Sequence, residues 1–412
     1  MSDDASGGPG DRSALGRCIA VPADRFAAEF WGRSALLSPA EDLGRDFGDL
    51  FSSAAVDDLL ADRGLRTPFL RMAKGGQVLP PGRFTASGGY GAEVADQVSA
   101  DAVFTEFADG ATIVLQGLHR TWRPIRDFTR RLVDEIGHPV QVNAYITPAA
   151  SRGFDPHYDV HDVFVLQIAG EKRWVVHDPV LVHPFADEPW ADVAGQVAAR
   201  AEEAPAIETV LRPGDALYLP RGWIHSATAL GGTTVHLTVG MPAVTRSDVA
   251  RRLLEQALRS DALRAPLPLG VDLGDPASIA DDVAAAQAAL RDALDRVDPA
   301  PVAAALGARL TRQVRAEAIR PLAAVEAIAA LDPGSTVRWR DGLRATTVVE
   351  GDRVEIRLPS KTVRLPAEAG PAVAALAAGG AHRAGALQDL DEADSLVVSR
   401  RLLREGVLVP GP

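Results

Sequence analysis

The chain has 412 residues, of which 47% are hydrophobic and 24% charged, with a formal net charge of −12. That length exceeds one ordinary core and implies two or three domains, in a globular protein rather than a disordered or fibrous one. The acidic balance argues against a general nucleic-acid binder and suits a basic partner; no apolar run reaches the roughly 18 residues of a membrane span; and the single cysteine, Cys18, excludes an internal disulfide and a cysteine zinc site and favours the cytosol.

Residues 1–18 open as MSDDASGGPGDRSALGR, polar and without the apolar heart of a signal peptide, and are expected to form a disordered lead-in. Between 20 and 40, Phe26, Phe30 and Trp31 fall at helical spacing ahead of Leu36 and Leu37, which predicts a short amphipathic helix running into a strand. Packing is the plain explanation for those aromatics. Residues 53–63 predict a helix stopped at Gly64, and 67–73 a strand before the loop GGQVLPPGRF. From 111 the run ATIVLQGL is β-type, and 123–137 is an amphipathic helix with Ile125, Phe128, Leu132 and Val133 on one face and Gly137 at its end. The strand at 139–148 alternates and delivers Asn143 and Tyr145 to one face. Those residues either line a cavity with the segment that follows or meet solvent on a half-buried sheet, and the pattern leaves both open.

Residues 154–174, FDPHYDVHDVFVLQIAGEKRW, place His157 and Asp159 two positions apart, just before an apolar run at 163–168 that predicts a buried strand. In extended chain, residues i and i+2 share a face, so both side chains can reach one metal ion. A His-x-Asp pair is weak evidence alone in a chain with 9 histidines. The third candidate comes later, in VLRPGDALYLPRGWIHSAT at 210–228: a strand, a Pro-Gly-Asp turn, a second strand at 216–219, a tight turn, and His225 at the start of a third. Two imidazoles and a carboxylate, with the last ligand on a later strand, form the facial triad of non-haem Fe(II) oxygenases, which leaves positions open for a 2-oxo acid and dioxygen. Such a site also needs a cation for the far carboxylate of the co-substrate. Lys172 suits: the segment Ala169-Gly170-Glu171 predicts a turn, after which a returning strand brings the ammonium back beside the metal-bearing strand end. A surface hairpin lysine is the reading without the triad.

These runs, from VNAYITP through FDPHYDVHDVFVLQIAGEKRW to RPGDALYLPRGWIHSA and VHLTVG, resemble the JmjC-type (cupin-4) ribosomal oxygenases, which hydroxylate histidyl or arginyl side chains of ribosomal proteins. The likeness is strongest at 111–240. It implies an α+β chain with a double-stranded β-helix (cupin/JmjC jelly-roll) core over 19–245, a helical dimerisation region over 246–333, and a C-terminal winged-helix-like domain over 334–412. It implies Fe(II) held by His157, Asp159 and His225, 2-oxoglutarate gripped by Lys172, and a pocket lined by Asn143, Tyr145 and Thr238. The implied partner is a protein or peptide, most naturally a basic ribosomal protein, met by a cytoplasmic homodimer without membrane attachment. The sequence leaves room for the same chemistry on a biosynthetic peptide, for demethylation of a methylated side chain, and for a metal-free binding scaffold. His161 shares the face of the triad and is assigned to its rim; His236 is assigned to pocket support. Gly240 stands where histidyl hydroxylases carry a serine, which leaves the target residue open.

Beyond 245 the Ala-rich stretch at 279–297 has no sustained heptad and suits a helical hairpin or bundle. Short strands (TVRWR, ATTVVE, RVEIRLP), helices around AVAALAA and SLVVSRRLLREG, and a final VLVP fit a winged helix. Arg400, Arg401 and Arg404 invite a DNA-binding reading, but the acidic stretch 389–394 lies beside them, so an interaction or structural role is expected instead.

Overall fold

The computed structural model describes residues 13–91, 93–149 and 155–411. Two compact units emerge, one ending at Ala243 and the other beginning at Val244. The strands of the first are β1 (Leu36–Ser38), β2 (Leu70–Lys74), β3 (Gln77–Val78), β4 (Thr85–Ala86), β5 (Gln97–Val98), β6 (Thr112–Leu115), β7 (Gln141–Thr147), β8 (Asp162–His177), β9 (Ile207–Leu211), β10 (Ala216–Leu219) and β11 (Ile224–Met241). All but β4 and β5 join one antiparallel sheet ordered β1-β10-β8-β11-β7-β6-β2-β3, with β9 also against β8. Residues 163–166 of β8 pair with β10, and residues 172–176 pair with β9. β11 runs along both stretches, so β8 and β11 form the long ribbon on which the jelly roll is built.

The first half of β8 is buried on both faces, which is why its sequence reads as a continuous apolar run rather than an alternating one. Val163, Val165, Trp174, Val176, Leu211, Leu217 and Leu219 form one cluster, each side chain contributing about 1.5–3 kcal/mol by leaving water.

The segment Ala169-Gly170-Glu171 is not a turn, contrary to its sequence reading. β8 continues through it, with the register against β11 slipping between the pairs Leu230–Glu171 and Val235–Ala169. Gly170 sits at φ 66° in this bulge, and a Cβ there would come within 2.4 Å of the Thr233 carbonyl oxygen. A bulge bends a strand without ending it. Gln167 secures the bend, its amide donating to the carbonyls of Ala169 (2.9 Å) and Gly170 (3.1 Å).

The helix Arg123–Ile136 forms as its pattern predicts, burying Ile125, Phe128, Leu132 and Val133, and Gly137 closes it. The aromatic-rich segment is a short helical turn, Ala23–Arg25, continued by a wider turn over Phe26–Phe30 before β1. The lead-in expected to be disordered over 1–18 is shorter than that. Residues 1–12 lie outside the described residues, whereas Leu15–Arg17 is a helical turn, Arg17 is buried and paired with Asp49 at 2.6 Å, and Cys18 is buried. Among the described residues no helix is long and apolar enough to cross a membrane.

The second unit begins with four helices, Arg246–Ala257, Ala280–Asp295, Pro299–Gln313 and Pro321–Ala329. The first opens on a capping box in which Thr245 and Asp248 satisfy each other's backbone N–H. Then come β12 (Thr336–Trp339), β13 (Thr346–Glu350), β14 (Arg353–Arg357), β15 (Thr362–Pro366), β16 (Ala381–Arg383) and β17 (Leu408–Pro410), in two three-stranded sheets, β16-β12-β17 and β13-β14-β15. Helices Gly370–Ala377 and Glu392–Arg404 complete the unit. Its core runs from Val337 through Ile356, Val373 and Leu402 to Leu408, and Ile328 and Leu331 pack against it. The expected boundary at 333/334 therefore cuts through a shared core.

Candidate active site

Residues 157–159 lie antiparallel to the start of β11. The His157 N–H donates to the His225 carbonyl (3.2 Å) and the His225 N–H to the His157 carbonyl (2.8 Å). Directly opposed residues project to one face, and Asp159, two positions on, joins them. Between them Tyr158 points the other way, buried with Val197 and Ile224, its hydroxyl donating to the Glu188 carbonyl at 3.0 Å. That anchor fixes which face of the segment turns inward. The turn before His225 is held by buried Asp162, which accepts from the Arg221 N–H (2.8 Å) and the Tyr218 hydroxyl (3.1 Å).

The imidazole rings of His157 and His225 stand 4.5 Å apart, and His225 Nε2 is 3.9 Å from Asp159 Oδ2. His157 Nδ1 lies 2.7 Å from the Asp155 carbonyl and His225 Nδ1 3.0 Å from the Trp223 carbonyl. A carbonyl only accepts, so both Nδ1 atoms carry a proton and Nε2 is the ring atom left to meet a metal, the orientation a metal-ligating histidine requires. Burial, and then the neighbouring His157, push His225 down to about 4, so it is neutral at physiological pH. Among the described residues no three such side chains are already drawn onto one metal-sized point. Donors on one ion sit roughly 3 Å apart, so rotation of the partly exposed Asp159 carboxylate closes most of the gap. The donor set, two imidazoles and one carboxylate on a common face, fits a divalent iron centre.

The three side chains line a cavity of about 240 Å³ shared with Lys172, Tyr145, His236 and Thr238. Lys172 reaches it because β8 continues past its bulge, not because a hairpin returns. Its side chain crosses to β7, where Nζ donates to Thr147 Oγ1 at 3.3 Å. Lys172 is only 3% exposed, and burial pushes it down to about 8. No carboxylate among the described residues pairs with it. The Tyr145 ring stacks on His236 at 5.1 Å with an interplanar angle of 4°, and Trp174 meets His236 edge-on at 5.6 Å. Burial, with Lys172 adding, holds His236 well below the ordinary histidine range, in keeping with a supporting role.

Two sequence-based assignments fall elsewhere. Asn143 is not among the cavity-lining residues; its Oδ1 accepts from the Gly117 N–H at 3.0 Å and ties down the start of the helix Leu118–Thr121. His161 does not line the cavity either; its ring lies over Gly240, where an added Cβ would come within 2.6 Å of it. That ring occupies the space a serine side chain at 240 would need. Sequence reasoning missed Arg71, Thr112, Thr147, Trp174 and Trp190, all of which line the cavity. Thr147 was within reach: it lies on the face of β7 that carries Tyr145. Arg71 and Trp190 come from distant segments that no local pattern connects.

This geometry is that of a double-stranded β-helix, and residues 118–249 match the family model described as JmjC domain. Among curated proteins it is similar to human ribosomal oxygenase 1, 30% identical over 230 residues that cover 53% of this chain and 32% of the relative. It is likewise similar to the bifunctional lysine-specific demethylase and histidyl-hydroxylase NO66 of Drosophila persimilis, 36% identical over 147 residues that cover 32% of this chain and 19% of the relative. The chain spans about a third of the length of the first curated relatives it matches, 34% in the bovine ribosomal oxygenase 1. Among solved structures, YcfD, a ribosomal oxygenase from Escherichia coli in complex with cobalt and 2-oxoglutarate, shares the fold at a TM-score of 0.53 and 19% identity, over 95% of this chain and 99% of that one.

Proposed function

We propose that the chain is an Fe(II)- and 2-oxoglutarate-dependent oxygenase that hydroxylates a side chain of a protein, in the first place a ribosomal protein. The observation that carries this reading is the pairing, in one cavity, of the His157, Asp159 and His225 donor set with a buried lysine that has no carboxylate partner among the described residues. An ammonium left without a counter-ion in a dry site is costly, and an incoming dicarboxylate relieves that cost. The relatives' names, and the cobalt and 2-oxoglutarate bound to the E. coli protein of the same fold, point the same way.

Iron, when bound, supplies dioxygen activation coupled to oxidative decarboxylation of 2-oxoglutarate to succinate, with one oxygen atom delivered to a substrate C–H bond. His157, Asp159 and His225 hold the metal from one face, their Nδ1 hydrogen bonds and the Tyr158 anchor setting the orientation. Lys172 and the Thr147 hydroxyl grip the far carboxylate of the co-substrate. Trp174, Tyr145 and His236 wall the cavity and keep water from it. Thr238 lines the same wall from β11.

The finer organisation belongs to this proposal too. The helices that open the second unit are read as a homodimerisation region, supported by exposed Leu254, Leu258 and Val283, and the strands and helices after Thr336 as a winged-helix-like module. Sedimentation of the wild type and of a Leu254→Glu, Leu258→Glu double variant tests the dimer: a wild-type monomer refutes it. The proposed setting is the cytoplasm, with a basic ribosomal protein as partner and no direct hold on nucleic acid. Comparing intact masses of ribosomal proteins from cells with and without the gene tests the substrate. One protein lacking one oxygen atom in the deleted strain is expected, and identical mass profiles refute the ribosomal assignment.

A further inference from the structure

Arg71 on β2 belongs to the cavity but to no part of the machinery assigned above. In register, Arg71 lies opposite Val114, Val114 opposite Tyr145, and Tyr145 opposite His236, so all four project from one face of the sheet. Arg71 is half-buried, its guanidinium hydrogen-bonds the Tyr145 hydroxyl, and its Nε is buried without a hydrogen-bond partner. A guanidinium only donates, so at the cavity wall Arg71 offers hydrogen bonds to an arriving acceptor. Among the described residues lining the cavity, the charged groups are Arg71, Lys172 and Asp159, and Asp159 belongs to the metal donor set. With Lys172 taken up by the co-substrate carboxylate and Asp159 by the metal, Arg71 is the charged group of the described lining left to face a target, and a cationic target side chain would meet it with no free carboxylate among those residues to receive the charge.

Resting on the oxygenase reading, we propose that Arg71 is a specificity-determining residue: it donates to the target side chain and restricts the substrate to acceptors without positive charge, an imidazole, a carboxamide or a carboxylate. Guanidinium and methylated ammonium groups are excluded, so the site is built for neither arginyl hydroxylation nor lysine demethylation. A histidine target enters as the neutral imidazole, and the surrounding protein can still be basic.

The test uses the full chain and peptides with degenerate flanks around one fixed central residue: His, Asn, Asp, Arg or trimethyl-lysine. Succinate released above the peptide-free rate is measured with Fe(II) and 2-oxoglutarate, and binding of the labelled peptides to the metal-free chain is followed by fluorescence anisotropy. At least one of the His, Asn and Asp series exceeds the Arg and trimethyl-lysine series by about tenfold or more in both readouts. Highest turnover or binding with Arg or trimethyl-lysine, or equal values for all five, overturns the proposal. In Arg71→Met the preference shrinks toward unity, and Arg71→Lys restores part of it. A preference unchanged in Arg71→Met overturns the proposal, as does a raised Michaelis constant for 2-oxoglutarate with the peptide preference intact. Succinate release without peptide checks the activity separately. Its absence removes the oxygenase reading and this inference with it, whereas its presence beside a preference for arginine removes only the inference.

Discussion

Lys172 and Cys18 show burial, the largest influence on each, serving two different ends. For Lys172, burial without a counter-ion depresses the ammonium to about 8 and prepares it for an anion. Replacing it with methionine removes one buried charge pair, about 3 kcal/mol or roughly a hundredfold in 2-oxoglutarate affinity, which isothermal titration measures. The pH dependence follows in sign. In the proposed role the co-substrate would bind the protonated lysine, so affinity should be flat below about 8 and weaken by up to about tenfold per pH unit above it, as a proton must then be taken up on binding. An affinity unchanged between pH 7 and 9.5 would contradict this. Cys18 is buried, its Sγ donates to the Ala14 carbonyl at 3.6 Å, and burial pushes the thiol up to about 12. It should resist thiol reagents in the native protein and react only on unfolding, as a timed labelling assay would show. The common face of His157 and Asp159 was legible in the sequence because His-x-Asp in extended chain fixes it by period alone, whereas Lys172 reaches the same cavity by a continuing strand and not by the hairpin its sequence suggests. Arg71 was not legible, because its place depends on β2 pairing with β6, a long-range register with no local signature.

Among the strands, the instructive error concerns Ala169-Gly170-Glu171. A glycine followed by charged residues between two apolar runs reads as a hairpin turn, yet here it marks a bulge in a strand of 16 residues. Only the close approach of the Thr233 carbonyl, a tertiary fact, tells the two apart. Gly170 and Gly240 then predict contrasting costs. At Gly170 a Cβ meets backbone oxygen at a positive φ, so Gly170→Ala should cost about 3 kcal/mol or more and displace Lys172, lowering 2-oxoglutarate affinity as well. At Gly240 the obstacle is the ring of a half-buried histidine that can swing aside, so Gly240→Ser should cost less than about 1 kcal/mol while shifting the His161 resonances. Equal thermal destabilisation by the two substitutions would contradict the bulge.

At the scale of the whole chain, the two compact units part between Ala243 and Val244, near the change of texture from strands to helices in the sequence. The inner boundary was not legible, since Ile328 and Leu331 join the core of the strands that follow them. A fragment of residues 244–412 should therefore fold alone, with dispersed amide resonances and a cooperative melt, whereas one beginning at 334 should lose Ile328 and Leu331 from its core and melt lower. The central claim concerns the first unit, and one measurement reaches it most directly: succinate released from 2-oxoglutarate by the purified chain as Fe(II) is added. The wild type should turn over in proportion to bound iron, while His225→Ala, still folded by circular dichroism, should release none. Succinate release by His225→Ala at the wild-type rate, or none from the iron-loaded wild type, would contradict the site described here.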